Sequence, residues 1–356
     1  MALFRRLTLA AAVLCFGVVV LGAYVRLSDA GLGCPDWPGC YGHLTVPAAS
    51  DDVAAAERSY PNRPVEAHKA WKEMIHRYFA STLGLCIVAL AFLSRRLRDV
   101  GAPQRLPWIL VGLVIFQGLL GMWTVTWQLK PLAVSGHLLG GMTTLSLLVW
   151  MWLSLRRHEP ASAVDEKPLR SERHAMLDML QHPAPSETRA PAALRFFAAA
   201  VLALLACQIF LGGWTSSNYA ALACPDFPTC HGSFWPEMDG KEAFTLWRGL
   251  GVNYEHGVLD NRARVTIHFM HRLGALCVAV AGLWLAAILW RRGTPTGRRF
   301  GIALAVAVAL QAGLGIAIVK LQLPLLLADM HNAGAAVLLL TVVSLNHFLW
   351  TRADFT

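Results

Sequence analysis

The sequence predicts an all-α integral membrane protein, with eight transmembrane helices forming two tandem four-helix bundles related by a pseudo-twofold axis along the membrane normal. Three observations carry this reading. The 356-residue chain is 56% apolar and 15% charged, well below the roughly one-quarter charge of soluble domains. Eight separate apolar runs, at about 7–27, 73–94, 107–127, 132–155, 196–216, 265–290, 300–319 and 325–350, each approach the ~20 residues needed to cross ~30 Å of hydrocarbon. Features of the first half return in the second at near-constant spacing, and the even number of spans between copies makes the halves run parallel.

Span one follows Arg5-Arg6 and has the outline of a signal peptide. No small-residue cleavage site ends it and seven spans follow, so it is expected to be the first transmembrane helix. Basic residues gather at Arg5 and Arg6, at Arg95, Arg96, Arg98 and Arg105, at Arg156 and Arg157, and at Arg291, Arg292, Arg298 and Arg299. These are alternate connections. The positive-inside rule therefore puts both termini and these loops in the cytoplasm. The net charge of +9 thus reports topology, and its placement beside helix ends gives no support to a nucleic-acid partner.

Span one ends in Leu21-Gly22-Ala23-Tyr24-Val25-Arg26-Leu27 and enters a Gly- and Pro-rich stretch through Cys40, which predicts a structured turn region on the outer side. The outer loop turns helical again near Val65 and leads into span two. A short outer connection at Lys130-Pro131 makes spans three and four antiparallel neighbours. Three units follow: 1–156, a linker at 157–192 rich in Glu, Asp, Lys, Pro and Ser, and 193–356. His158, His174 and His182 belong to the linker and read as solvated.

The duplication is clearest at Glu73-Met74-Ile75-His76-Arg77, whose pattern returns as His268-Phe269-Met270-His271-Arg272. His137, in Ser135-Gly136-His137, is matched by His331 in Asp329-Met330-His331. Cys34-Pro35-Asp36-Trp37-Pro38-Gly39-Cys40 is matched by Cys224-Pro225-Asp226-Phe227-Pro228-Thr229-Cys230, and Gln117-Gly118-Leu119-Leu120-Gly121 by Gln311-Ala312-Gly313-Leu314-Gly315. The glycines of the last pair could admit a neighbouring helix or a flat ligand.

His76, His137, His271 and His331 all fall in the outer third of the membrane, where an ionisable residue usually faces a site or pairs within the bundle. Imidazoles can supply both axial nitrogens of a haem iron, and a four-helix bundle can place two rings on opposite sides of a macrocycle. Two haem sites follow, His76 with His137 and His271 with His331. Zinc is the competing chemistry; a structural zinc site gathers four ligands, whereas these histidines come in twos. Arg77 and Arg272 could meet a haem propionate or reach lipid phosphate.

Glu73 lies three residues from His76 on the same helical face and is replaced by His268 in the second half. A carboxylate there can hold or exchange a proton, which makes Glu73 the catalytic candidate; the alternative is an interfacial pair with Arg77. Cys34 with Cys40, and Cys224 with Cys230, face an oxidising compartment and can each close a local disulphide, as a staple or as a redox relay. Cys15, Cys86, Cys207 and Cys277 read as packing residues. His43 and His231 follow the cysteine loops at unequal spacing, His68 and His256 lie outside, and His347 stands apart near the cytoplasmic end of span eight.

With these residues in place the chain resembles the haem A synthase family, in its proteobacterial and mitochondrial branch. The matching stretches are Gly22 through Ser28, Gly31 through Pro38, Glu73 through Arg77, Gly136-His137-Leu138, His271-Arg272 and His331-Asn332. The resemblance covers all eight spans and is poor only in the linker. It implies oxidation of the C8 methyl of haem O to the formyl group of haem A by successive hydroxylation, for cytochrome oxidase. It further implies a substrate haem site at His76, His137, Arg77 and Glu73, and a haem b site at His271, His331 and Arg272. Haem O synthase and cytochrome oxidase assembly factors are the implied partners, with an electron acceptor that the sequence does not name and an oligomeric state left open. The expected location is a bacterial inner membrane with the haem sites toward the periplasm. The alternatives are a dihaem electron carrier of cytochrome-b type and a haem transporter.

Overall fold

A computed structural model describes residues 1–155, 190–292 and 294–351. The linker expected at 157–192, with His158, His174 and His182, lies outside the described residues except for its last three positions. Among the described residues there are no β-strands, and eight helices are long and apolar enough to cross a membrane. They are α1 (Ala2–Leu27), α2 (Ala67–Arg96), α3 (Arg105–Thr126), α4 (Pro131–Leu155), α5 (Ala192–Ser217), α6 (Asn261–Arg291), α7 (Pro295–Lys320) and α8 (Leu325–Thr351). The chain is therefore an integral membrane protein, as its composition predicts.

Several helices run past their apolar stretches. α1 begins at Ala2 instead of near residue 7 and α6 at Asn261 instead of 265, while α2 begins at Ala67, ahead of its apolar run at 73 and close to the helical start expected near Val65. An apolar run marks only the hydrocarbon-facing part, whereas the backbone ladder continues until a cap or a proline stops it. At α6 the stop is Asp260, whose carboxylate accepts from the Ala263 amide at 2.8 Å. At α7 the Thr294 hydroxyl accepts from the Gly297 amide, with Pro295 in the first turn. Two short helices, Ser50–Ser59 and Gly240–Ala243, occupy connections that the sequence reading left as loop.

The helix neighbours repeat. α1, α2, α3 and α4 pack in a ring, each against the next and α4 back against α1, and α5 to α8 do the same. Between the rings, α4 meets α5, α8 meets α1, and α4 meets α8. This is the pattern that two tandem four-helix units produce. Away from the cysteine loops the interior is filled by a continuous apolar core that includes Phe4, Ile87, Leu148, Met151, Leu285 and Leu345. Large side chains such as Val13, Leu85, Phe92, Ile115 and Trp284 point outward, as a lipid-facing surface requires. Cys15 is buried, but Cys207 and Cys277 are exposed on the bundle surface, so the expectation that all four helix cysteines pack inside is corrected for these two. Both occupy outward-facing positions of helices whose exterior can be apolar because its solvent is lipid.

At the cysteine-loop end the two sets are tied together by polar contacts. Arg63 pairs with Glu255 at 2.8 Å, and the Tyr254 amide donates to Gln128 O at 3.0 Å. Lys130, only 1% exposed, donates from Nζ to Gly249 O at 2.6 Å and lies 3.1 Å from the centre of the Trp247 ring. A buried ammonium is tolerable only with such partners. Lys130→Met should therefore loosen the 244–260 segment, costing about 1–3 kcal/mol. The expected readings are a lower thermal unfolding midpoint in detergent and faster proteolysis of that segment, and an unchanged pair of readings would deny Lys130 this role.

Candidate functional site

The four helix histidines are brought into one layer by a single local rule. Each odd-numbered helix presents a glycine to the histidine of the helix that follows it: Gly22 of α1 to His76 of α2, Gly121 of α3 to His137 of α4, Gly212 of α5 to His271 of α6, and Gly315 of α7 to His331 of α8. A Cβ on those glycines would stand 2.8, 3.4, 3.4 and 3.2 Å from the corresponding imidazole Cε1. Each ring therefore rests against bare backbone. At Gly22 a side chain would have to push the ring away.

His76 and His137 face one another with ring centres 6.4 Å apart and planes at 78°. Two imidazoles whose nitrogens each approach one metal to about 2 Å place their ring centres roughly 6 Å apart, so the separation of this pair leaves room for a shared metal. The Nδ1 atoms of His76, His137 and His331 are buried without a hydrogen-bond partner among the described residues. Buried polar atoms are ordinarily satisfied. Unpartnered imidazole nitrogens in glycine-flanked pairs are what a site shaped for a metal-centred flat ligand leaves behind. Among the described residues no group of three or more His, Cys, Asp or Glu side chains converges as metal ligands, which separates this donor set from that of a structural zinc site.

Three of the histidines are held by a glutamine that precedes the supporting glycine by one helical turn. The side-chain amide of Gln117 donates to His137 O at 2.9 Å, that of Gln208 to His271 O at 2.9 Å, and that of Gln311 to His331 O at 3.0 Å. Gln208 Nε2 also lies 3.0 Å from His271 Nδ1. Room for each glutamine comes from a glycine three residues after the histidine, Gly140, Gly274 and Gly334. His76 is the exception. It has Phe79 at that position, and α1 has Val18 one turn before Gly22. Gln208 was not anticipated from sequence, yet the signal was present: Gln-x-x-x-Gly opposite His-x-x-Gly, in three of four helix pairs.

Glu73 is 5% exposed and spends both carboxylate oxygens. Oε2 accepts from the Cys34 amide at 2.9 Å and Oε1 from Arg77 Nη2 at 2.6 Å. In the second half His268 takes the same place, with Nδ1 3.2 Å from the Cys224 amide and Nε2 3.1 Å from Arg272 Nε. A neutral imidazole accepts at one nitrogen only, so His268 cannot serve both donors as the carboxylate does. The asymmetry noted in the sequence is therefore a difference of charge within a shared architecture.

Arg77 and Arg272 turn into the cysteine loops. Arg77 donates to Asp36 O at 3.0 Å, to Pro38 O at 3.2 Å and to Gly39 O; Arg272 donates to Cys224 O, Asp226 O and Thr229 O at 2.8–2.9 Å. Both guanidinium groups thus have a bracing task that the sequence did not reveal. Disulphides close both loops, Cys34 to Cys40 and Cys224 to Cys230. Within them Asp36 accepts from the amides of Tyr41 and Gly42, and Asp226 from those of His231 and Gly232. The Thr229 hydroxyl and these amides hold the Asp226 carboxyl well below the usual range. His231 is the structural counterpart of Tyr41, while His43 matches Ser233 in a short bridge to the second cysteine, which explains their unequal spacing. His347 is buried at the far end with Nε2 3.0 Å from the Ser154 hydroxyl.

The chain matches the family described as cytochrome oxidase assembly protein over residues 5–343. It is 43% identical to a haem A synthase of Shewanella oneidensis across 95% of this chain and 94% of that protein. Haem A synthases of Allorhizobium ampelinum and Caulobacter vibrioides are 27% and 28% identical, across 94% and 95% of this chain and 87% and 93% of their own lengths.

Gly22→Ala should displace the His76 ring and lower haem retention roughly tenfold or more, whereas Gly118→Ala, whose added methyl meets open space, should leave it unchanged. Absorption spectra of the purified variants check this, and equal retention in both would remove the glycine contact from the site.

Proposed function

We propose a function from one premise: the chain belongs to the cytochrome oxidase assembly protein family. It acts as a haem A synthase, a membrane oxidoreductase that converts the C8 methyl group of haem O to the formyl group of haem A by successive hydroxylation. The observation that carries this reading is the arrangement of four histidines in glycine-flanked pairs, one with ring centres at 6.4 Å, in a chain 43% identical to a haem A synthase.

We assign the substrate haem O to His76 and His137 and a resident haem b to His271 and His331. Two asymmetries support the assignment. Glu73 is a carboxylate where the second half has His268, and a buried carboxylate one turn from a ligand can take or return a proton as the methyl group is oxidised. Both histidines of the second pair are held by glutamines, Gln208 and Gln311, whereas His76 lacks one. A histidine free of that clamp suits a site that must exchange its haem, and two clamped histidines suit one that keeps it. Bound haem supplies the iron-centred redox chemistry.

The chain's own residues then have distinct tasks. His76 and His137 hold and orient the substrate ring, and Arg77 with the Cys34 amide fixes the Glu73 carboxylate three residues from His76. Arg272 braces the second loop as Arg77 braces the first. The apolar helix faces exclude bulk water and admit a lipid-borne substrate from the side. The two disulphides staple the loops against α2 and α6. The site layer faces the periplasm of a bacterial inner membrane and both termini face the cytoplasm, in keeping with arginine clusters at the opposite helix ends. Haem O synthase is the expected supplier, and assembly factors of cytochrome oxidase the expected recipients.

Chromatographic identification of haems extracted from the purified protein, made with and without a haem O supply, tests the reading. Haem A or a hydroxylated haem O should appear only with the supply. Glu73→Gln should lower that output about 100-fold or more with haem content preserved. Unmodified haem b alone under both conditions would overturn the synthase reading in favour of an electron carrier, and full output from Glu73→Gln would remove the carboxylate from the chemistry.

A further inference from the structure

Between the two four-helix sets, on the cysteine-loop side of the histidine layer, lies a cation with an unused donor. Arg26 sits in the last turn of α1, one turn beyond Gly22, the residue against which His76 rests. Its Nη2 donates to Ser216 O of α5 at 2.8 Å, and Ser216 is itself one turn beyond Gly212, the support of His271. The guanidinium carbon lies 4.4 Å from the centre of the Tyr219 ring. Arg26 therefore spans from one set to the other at the shared edge of both histidine pairs.

Its Nε and the Tyr219 hydroxyl are both buried without a hydrogen-bond partner among the described residues. Leaving such donors unpaired is costly, and two on stacked side chains call for one acceptor. Among the described residues no carboxylate lies within ion-pair distance of Arg26; Asp29, three residues further along the chain, pairs with Lys69. Arg77 and Arg272, the arginines that follow His76 and His271, are occupied by loop carbonyls. A carboxylate from outside the chain would satisfy both donors and the charge together.

We infer that Arg26 and Tyr219 form a carboxylate seat between the two sets, and that it takes a propionate of a haem held by an adjacent histidine pair. The inference rests on the two-haem reading above and adds to it the residues that read the acidic edge of the porphyrin. The propionate can come from either haem, and the shared chemistry is the porphyrin carboxylate.

The test uses the purified full chain stripped of haem and titrated with haem and with haem dimethyl ester, binding being followed in the visible spectrum. Wild-type protein should prefer the free acid. Arg26→Gln should weaken haem binding about tenfold or more and leave ester binding unchanged. Tyr219→Phe removes only an unpartnered hydroxyl and so leaves every protein contact of the ligand-free fold intact; it should weaken haem selectively in the same way. Repeating the titration in His76→Ala and His271→Ala backgrounds identifies the source, because selectivity persists only where the pair that uses the seat survives. Equal effects on haem and ester, or no effect of Tyr219→Phe, would overturn the seat. Wild-type protein that binds neither compound would instead overturn the two-haem reading.

Discussion

Four places where a glycine backbone meets the edge of an imidazole determine how this molecule is built. At Gly22 the approach is tight enough that a single methyl group cannot be added without moving His76. Because the histidine is on one helix and the glycine on its neighbour, each contact sets the spacing and rotation of a helix pair. In a membrane, where lipid is as apolar as the helix surface, such close backbone approach is the main means by which helices associate. The histidines are thus positioned by the same contacts that hold the bundle together. The glutamines one turn from three of these glycines extend the arrangement, binding the carbonyl of the histidine itself.

The two halves share this construction but differ where chemistry would need them to. Glu73 and His268 occupy one architectural position, each between the first cysteine amide of its loop and the arginine that braces the loop. A carboxylate accepts both hydrogen bonds and balances the guanidinium charge; an imidazole accepts one and balances none. The structural duty of the position therefore does not explain its catalytic candidacy, since His268 performs a version of the same duty. What distinguishes Glu73 is an acidic group, able to take up a proton, in a water-poor layer. Val18 in place of a glutamine is the second difference, and it leaves the His76 carbonyl without the glutamine bond that the other three histidines have.

The polar end and the apolar end of the bundle have separate roles. A continuous apolar core fills the half away from the loops and packs the helices together there. The site layer carries most of the unpartnered buried nitrogens and oxygens, including those of His76, His137, His331, Arg26 and Tyr219. Concentrating unsatisfied groups in one layer costs stability there, and the cross-set ties through Lys130, Arg63 and Tyr254 close the loop end over it.

Much of this was legible in the amino-acid order. Hydrophobic run length determined the eight helices, because a bilayer of fixed thickness imposes it, and the spacing of His76, His137, His271 and His331 revealed the duplication. Hydropathy could not place the starts of α1 and α6, since it reports the lipid and not the cap. Sequence could not tell that Arg77 and Arg272 turn into the loops, because an arginine's reach allows several partners and only the folded loop supplies the carbonyls. Nor did it show Arg26 over Tyr219, and the Gln-x-x-x-Gly pattern that marks Gln208 gains its meaning only once His271 is seen beside it. Both are contacts between helices or halves far apart in the chain, and their existence depends on how closely the glycines let those helices approach. The order of residues thus determined which groups lie at which depth; the tertiary structure alone decided which of them meet, because depth is set by distance along a helix and contact by packing between helices.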